Sequence, residues 1–230
     1  MKTTKNIKIA ISKFNREEKY SLDKAISLVK EMKFSKFDES VDIAINLNVN
    51  PRHAEENIRV NAALPHGTGK TVKVLVLCSG PNEKKAKEAG AEFVGNEEFI
   101  SKIKNGWTDV DKIVATPDMM GELGKLGKIL GPKGLMPNPK SGTVTTDVKS
   151  AVHALKAGQV EMRVDSNGII HVACGKISFD KNKLIENIKV ILNIIKKARP
   201  ASVKGVFVKK ISLSSTMGPG ILIDKSQMES

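Results

Sequence analysis

The sequence contains few aromatic residues. One of its 230 residues is Trp, one is Tyr and seven are Phe, so aromatic side chains make up 4% of the chain. Proteins that bind single-stranded nucleic acid stack successive bases on such side chains. If this protein binds nucleic acid, the composition favours recognition of folded shape and backbone over stacking of bases.

Cysteines and long hydrophobic runs are also scarce. Cys78 and Cys174 lie in separate apolar runs without a CxxC spacing, which predicts buried, unpaired thiols in a reducing cytoplasm. No apolar run approaches the ~20 residues that a membrane-spanning helix needs. The first residues, MKTTKNIKIAISKF, do not resemble a signal peptide. We therefore expect a cytoplasmic protein without a membrane partner.

Acidic residues are outnumbered by basic ones. Lys and Arg total 38 against 25 Asp and Glu, which gives a net charge of +13 and a pI near 9.6. Such an excess attracts nucleic acid or an anionic membrane through long-range electrostatic fields.

Patterns that carry catalysis are missing from the sequence. The histidines (His53, His66, His153 and His171) are isolated from one another and do not have the spacing of metal ligands. No serine lies in a GxSxG motif, and the glycines near residue 124 do not match the dinucleotide-binding pattern. The sequence therefore predicts no enzymatic activity, no metal site and no cofactor.

One motif supports an enzymatic alternative. Residues 66–71, HGTGKT, end like a P-loop, whose pattern is Gly, four residues and Gly-Lys-Ser/Thr. The first glycine would be residue 64, which is Leu64. A P-loop also follows a strand and begins a helix, whereas this motif precedes the apolar run 72–78. An NTPase is the competing function, and a linker is the simpler interpretation.

The two ends of the sequence predict antiparallel strands and helices. The apolar spacing predicts amphipathic helices over 21–33, with Ser21 as N-cap, and over 180–198, with Asp180 as N-cap. Strict alternation predicts a strand with one wet face over 40–49. Two alternating runs around Asn167–Gly168 predict a hairpin over 159–174. A final strand is expected over 203–213.

The middle of the sequence has a different pattern. Residues 72–78 are almost continuously apolar, as is typical of a buried parallel strand. Further strands near 91–94 and 112–116 alternate with short helices, which indicates an α/β unit.

These patterns predict two domains. One is a discontinuous α+β domain made of residues 1–67 plus 159–230, and the other is an α/β domain inserted at 68–158. Gly67 and Gly158 lie where the chain crosses between them, and we predict a hinge there. A single continuous domain is the alternative.

Two segments are candidates for binding folded RNA. In SKFDES, residues 35–40, Lys36 and Phe37 precede a strand. Phe37 packs either on a ribose or base, or into the core as an anchor for the preceding helix. In SSTMG, residues 214–218, hydroxyl groups and a glycine suit the recognition of phosphate and 2′-OH groups. The alternative is a turn that ends a strand.

A third candidate is the segment Ile129–Val144, ILGPKGLMPNPKSGTV. Pro fixes φ and Gly frees it, so this composition predicts an ordered loop rich in exposed backbone. N–H groups and lysines without an acid–base catalyst suit the binding of a polyphosphate chain. A purely structural cluster of turns is the alternative.

Four segments together resemble the ribosomal protein L1 family in its bacterial form. They are KFDESVDIAINLNVNP, NIRVNAALPHGTGK, GKLGKILGPKGLMPNPKSGTV and SLSSTMGPG, and the resemblance runs from end to end of the chain. It implies an α+β split sandwich for the terminal domain. It also implies a Rossmann-like, three-layer α/β fold without a nucleotide cofactor for the inserted domain.

The resemblance implies a function as well. Members of this family are structural constituents of the large (50S) subunit, where they bind the L1 stalk of 23S rRNA and assist release of tRNA from the E site. Bacterial members also repress translation by binding their own operon's mRNA. An RNA-binding regulator or assembly factor that acts off the ribosome is a further alternative.

The family's RNA contacts carry over to named residues. The principal ones are Lys36, Phe37, Ser40, Thr216, Met217 and Gly218, where Ser40 replaces the commoner Thr and keeps the hydroxyl. Second-tier candidates are Arg163, His171 and Lys176. An auxiliary contact is implied for the loop residues Gly131, Lys133, Gly134, Met136 and Pro137.

Overall fold

The chain forms two compact units. Unit 1 comprises Met1–Gly69 and Val160–Ser230, and unit 2 comprises Lys70–Gln159. The structure is a computed structural model that describes residues 4–80 and 82–228.

Both units combine helices with strands. Among the described residues the α-helices are α1 (Lys5–Ile11), α2 (Leu22–Glu31), α3 (Asn82–Glu88), α4 (Glu97–Lys104), α5 (Met120–Lys125), α6 (Gly127–Leu130), α7 (Val148–Lys156) and α8 (Lys181–Lys197). The strands are β1 (Ser40–Leu47), β2 (Arg59–Ala63), β3 (Val74–Leu77), β4 (Phe93–Gly95), β5 (Lys112–Ala115), β6 (Gln159–Arg163), β7 (Ile169–Lys176), β8 (Val208–Ser215) and β9 (Ile221–Ile223).

Unit 1 contains a four-stranded antiparallel sheet with the order β7-β1-β8-β9. Alternate side chains of β1 are buried, because successive side chains of a strand point to opposite faces; they are Val41, Ile43, Ile45 and Leu47. The predicted alternating strand over 40–49 is therefore confirmed. The sheet has an inner face that is buried and an outer face that is open to solvent.

Two helices contribute to the core on the inner face. As predicted, Ser21 caps α2, and its hydroxyl accepts a hydrogen bond from the Lys24 N–H at 3.4 Å. Asp180 lies at the N-cap position of α8 but makes no side-chain capping bond. The apolar stripe of α8 joins the same hydrophobic cluster as β1; its buried members are Leu184, Ile188, Ile191, Leu192 and Ile195.

The predicted hairpin over 159–174 is confirmed only around its turn, and the pairing along the two strands differs from the prediction. The turn at Asn167–Gly168 is present, and Gly168 has the positive φ of 77° that this turn requires. However, β6 pairs with β2 and β7 pairs with β1, and an isolated bridge between Val164 and Ile170 joins the two runs. A turn signal is local, so it does not decide which strands the flanking runs pair with.

Other boundaries in unit 1 also differ from expectation. The strand predicted over 203–213 is β8, which begins at Val208 and continues to Ser215. Ser214 and Ser215 therefore belong to the strand rather than to the turn after it. The short elements α1 and β9 were not predicted.

Unit 2 contains a three-stranded parallel sheet with the order β4-β3-β5. Leu75 and Leu77 of β3 pack with residues of α4, α5 and α6. Val74 and Val76 pack with residues of α3 and α7. Both faces of the sheet are therefore buried, which explains the almost continuous apolar run at 72–78.

The HGTGKT motif lacks the surroundings of a P-loop. The next regular element after residue 71 is strand β3, which begins at Val74, rather than a helix. Lys70 forms an ion pair with Asp111. The NTPase alternative therefore loses the strand–loop–helix arrangement that would hold a phosphate chain.

Two further expectations concern cysteines and membranes. Cys78 and Cys174 are both buried and unpaired, as predicted. In the part of the chain that the structure describes, no helix combines the length and hydropathy needed to span a bilayer.

Candidate nucleic-acid interface

The two predicted RNA-binding segments meet at one end of β1. Val41 pairs with Ser215 across the β1–β8 ladder, and this register brings Ser40 beside Thr216. The Ser40 N–H donates a hydrogen bond to Thr216 Oγ1 at 3.0 Å, and the Thr216 N–H donates to the Ser40 carbonyl at 3.1 Å. We call the surface around this contact the strand-end cluster; it consists of Lys36, Phe37, Ser40, Lys176, Thr216, Met217 and Gly218.

Lys176 enters the strand-end cluster from β7. Its Cα lies opposite that of Ser40 in the β1–β7 ladder. Its ammonium group donates hydrogen bonds to Ser40 Oγ at 3.0 Å and to the Asp38 carbonyl at 3.5 Å. A cation next to exposed hydroxyl groups is suited to a phosphate and a neighbouring ribose 2′-OH.

A buried carboxylate holds the cluster together from beneath. Glu39 is fully buried, and it accepts hydrogen bonds from the Ser35 hydroxyl and, at 3.1 Å, from the Met217 N–H. Burial alone would raise the pKa of Glu39, but hydrogen bonds from Ser215, Ser35 and Met217 together lower this pKa below its ordinary value. Glu39 thus fixes the loop before β1 against the turn after β8. The sequence does not indicate this role, because Glu39 is an acid in a polar segment.

Gly218 is explained by the same network. A Cβ at position 218 would lie 2.5 Å from Ser215 Oγ, and that hydroxyl is buried and bonded to Glu39. The Gly218 N–H donates to the Ser215 carbonyl at 3.2 Å and closes the turn. The glycine is therefore required by the protein's own packing, whatever ligand the turn contacts.

Two apolar side chains of the cluster face solvent. Phe37 is 52% exposed and Met217 is 48% exposed. The alternative that Phe37 anchors a helix in the core is therefore wrong. Exposed large apolar side chains beside a cation and hydroxyls provide a surface on which a sugar or base can pack.

The outer face of the sheet continues from this cluster as a basic groove. Its volume is about 500 Å³. We call it the sheet groove; its lining includes Arg16, Asn46, His171, Lys210 and Ser212. Since β1 rises ~3.3 Å per residue, the groove at Asn46 lies about 20 Å from Ser40 along the strand. An extended face of this kind suits a helical segment of RNA better than a single nucleotide.

Arg16, Lys210 and Ser212 were not predicted as site residues. The sequence of β8 does contain a pattern that indicates Lys210 and Ser212, because these residues alternate with the apolar Ile211 and Leu213, which are buried. Arg16 lies in the loop between α1 and α2, and nothing in its sequence context indicates that it lines the groove.

The second-tier candidates separate in the structure. His171 lies on the outer face, opposite Ala44 of β1, and its Nε2 is 3.7 Å from a carboxylate oxygen of Asp165. Backbone hydrogen bonding from Ile169 is the main cause of the lowered pKa of Asp165. Arg163 is exposed but belongs to β6, in the other sheet of unit 1.

The segment Ile129–Val144, which we call the proline–glycine loop, packs against the hydrophobic core of unit 2. Met136 packs against the hydrophobic cluster and Pro137 is buried, whereas Gly131, Lys133 and Gly134 are exposed. Hydrogen bonds among Asn138, Ser141 and Thr143 close the loop. In one of them the Asn138 N–H donates to Thr143 Oγ1 at 2.8 Å. The exposed part offers backbone and the side chains of Lys133 and Lys140, and Lys133 donates a hydrogen bond to Thr108.

The described residues provide no support for a catalytic or metal-binding function. Within residues 4–80 and 82–228, no group of three or more His, Cys, Asp and Glu side chains is arranged to hold a metal ion. The strand-end cluster offers hydroxyls, N–H groups and a lysine, which are binding groups.

Comparison with known proteins identifies the family. A profile of the Ribosomal protein L1p/L10e family matches residues 29–219. The chain belongs to the ribosomal protein L1 family. It is also 53% identical over 223 residues to the large ribosomal subunit protein uL1 of Chlorobaculum tepidum (strain ATCC 49652 / DSM 12025 / NBRC 103806 / TLS), and the match covers 97% of this chain and 96% of that protein.

The resemblance inferred from the four sequence segments is thereby confirmed. Members of the L1 family are structural ribosomal components and not enzymes, so the expectation that this chain is not an enzyme is confirmed on that ground.

Proposed function

We propose that this protein is a structural constituent of the large ribosomal subunit that binds the L1 stalk of 23S rRNA through the outer face of unit 1. The proposal is supported by its family and by a relative named as a large-subunit protein. In this role it works in the cytoplasm as part of the 50S subunit.

The observation that carries the proposal is the strand-end cluster. The cluster brings together Lys176 from β7 with the hydroxyls of Ser40 from β1 and Thr216 from the turn after β8. Phe37 and Met217 are exposed beside them. Cations bind phosphate, hydroxyls bind 2′-OH groups, and apolar side chains pack on sugars and bases. The sheet groove adds positive charge along the same face.

The finer parts of the function follow from the family resemblance. We propose that the protein also assists release of tRNA from the E site, with Gly131, Lys133 and Gly134 as an auxiliary contact. We further propose that it represses translation by binding a stalk-like site in its own operon's mRNA. The 23S rRNA stalk and the operon mRNA would both bind the outer face of unit 1, since the mRNA site must present the same folded shape as the stalk.

We also propose a discontinuous domain, residues 1–67 plus 159–230, of split α+β sandwich fold, with a Rossmann-like three-layer domain inserted at 68–158. The two compact units and their separate sheets support this division. Gly67 and Gly158 would form the hinge. The buried Asn187 side chain donates a hydrogen bond to the Gly67 carbonyl at 3.0 Å. This bond holds the backbone of unit 1 at the point where the chain leaves for the inserted domain.

The test is filter binding of the whole protein to a stalk RNA hairpin and to an arbitrary RNA duplex of equal length. We expect a clear preference for the hairpin, with moderate weakening by salt through counterion release. Equal affinity for both RNAs, with a steep salt dependence, would indicate non-specific electrostatic binding and contradict the proposal. Co-sedimentation with 50S particles separates a ribosomal constituent from a regulator that acts off the ribosome.

A further inference from the structure

Aromatic side chains are scarce in the sequence, but three of them meet in unit 2. The ring centroids of Phe93 and Trp107 are 5.2 Å apart at an interplanar angle of 87°, and Phe99 lies 5.6 Å from Trp107 and 5.9 Å from Phe93. They come from β4, from α4 and from the loop after α4. Composition averaged over the chain hides this local concentration.

The three rings line an open cavity. Its volume is about 430 Å³, and its lining is completed by Lys102 and Asn105. Phe93 and Trp107 are partly exposed, whereas Phe99 is almost buried. We call this the aromatic pocket; it consists of Phe93, Phe99, Lys102, Asn105 and Trp107.

The strand beneath the pocket is adapted to the Phe99 ring. A Cβ at Gly95 would come within 2.6 Å of Phe99 Cδ2. Glycine at this position of β4 lets the ring lie directly against the strand. A side chain at position 95 would therefore displace the Phe99 ring from the floor of the pocket.

The charges around the pocket favour an anionic, aromatic ligand. Lys102 Nζ lies 4.7 Å from the Phe99 ring centroid and also pairs with Glu98. The lining itself contains rings, an ammonium group and an amide, and no carboxylate. An apolar protein side chain would use the rings but not the Lys102 ammonium group, whereas a nucleotide uses both.

We infer that the aromatic pocket binds an unpaired nucleobase of RNA, stacked on the Phe93 ring with its edge against Trp107, and with the adjoining phosphate near Lys102. Asn105 is in reach to hydrogen-bond the edge of the base. The inference rests on the proposed function only in taking RNA as the protein's partner. It adds a second contact, in unit 2, that recognises a single-stranded element.

Trp107 is the sole tryptophan of the chain, so its fluorescence reports on this pocket alone. The whole protein is titrated with hexaadenylate RNA, and separately with a blunt RNA duplex of the same phosphate count at the same salt concentration. We expect a saturable change in Trp107 emission with hexaadenylate and a much smaller one with the duplex.

Two substitutions at one position provide the matched control. Phe93→Tyr keeps an aromatic face and should keep the affinity for hexaadenylate. Phe93→Leu keeps apolar bulk but removes the ring, and should weaken binding roughly 5- to 150-fold, the range that follows from the stacking energy of one base on an aromatic side chain. Circular dichroism and the emission of the free protein check that both variants are folded.

Two further measurements separate this pocket from the stalk-binding face. Phe93→Leu should leave stalk-hairpin binding unchanged, and Thr216→Val should leave the Trp107 response unchanged. No saturable response to hexaadenylate, equal responses to strand and duplex, or equal affinities of the Leu and Tyr variants would each overturn the inference. A response to a neutral leucine-containing peptide but not to hexaadenylate would assign the pocket to a protein partner and overturn it too.

Discussion

The hydroxyl of Thr216 accepts a hydrogen bond from the backbone N–H of Ser40 at 3.0 Å, across 176 residues of sequence. This contact joins the loop before β1 to the turn after β8. The same hydroxyl also lies 3.4 Å from the Ser40 carbonyl. Thr216 therefore has two roles, because it supports the site internally and presents an exposed group to a ligand.

Thr216→Val should weaken binding to a stalk RNA hairpin by about 1–3 kcal/mol, since it removes a hydroxyl at almost constant volume. The substitution also removes the acceptor of the Ser40 N–H, which lowers the stability of the fold. Thr216→Ser keeps the hydroxyl and should retain most of the affinity. Filter binding measures both variants, with circular dichroism as the control for folding. A folded Thr216→Val protein with unchanged affinity would remove this residue from the site.

Glu39→Gln should destabilise unit 1 by about 1–3 kcal/mol at neutral pH, because an amide cannot accept all the hydrogen bonds that the carboxylate receives. Urea unfolding measures the difference. Glu31→Gln, on the exposed face of α2, is the matched control and should change stability by less than about 0.5 kcal/mol. Equal effects of the two substitutions would show that the buried carboxylate is not a structural support.

The same carboxylate predicts a pH dependence. The pKa of Glu39 is lowered in the folded protein, so its stabilising contribution is fully present above the unfolded carboxyl pKa of about 4.3. It is lost as the pH falls through the lower folded pKa. The difference in unfolding free energy between wild type and Glu39→Gln should therefore shrink below about pH 4. A constant difference down to acid pH would contradict this account.

The sequence predicted individual helices and strands better than it predicted strand pairing and side-chain contacts between distant segments. The alternation along β1 and the apolar stripe of α8 predicted both elements, because each follows from which side chains are buried. The pairing of β6 with β2, and not with β7, depends on strands outside the local run. The burial of Glu39 depends on Ser215 and Met217, which only the fold brings near, and the aromatic pocket likewise gathers residues that are separate in sequence.

Lys210→Gln should weaken stalk binding and reduce its salt dependence by about one phosphate contact, if the sheet groove lies along the RNA backbone. Lys210 is exposed on β8, opposite Asn46 of β1. The matched control is Lys189→Gln, which removes the same charge from the exposed side of α8. Binding is measured over a series of salt concentrations. Identical slopes for the two variants would indicate that the groove makes no specific phosphate contact.

Each unit has a core of its own, which bears on whether unit 1 can fold alone. One hydrophobic cluster gathers the inner face of the four-stranded sheet with α2 and α8, all from unit 1. The chain leaves unit 1 after β2 and returns at β6, and these strands are neighbours in one sheet. A short connection should therefore replace the middle of the chain without disturbing that core.

A fragment that joins residues 1–67 to 159–230 through a short Gly/Ser linker should fold and keep most of the affinity for the stalk hairpin. It contains the whole strand-end cluster, the sheet groove and the buried Glu39 that supports them. Residues 68–158 alone should bind the hairpin weakly. Filter binding compares both fragments with the whole protein, after cooperative urea unfolding has established that each is folded. Comparable affinity in the 68–158 fragment would move the main RNA site to unit 2, because only that fragment carries the proline–glycine loop and the aromatic pocket.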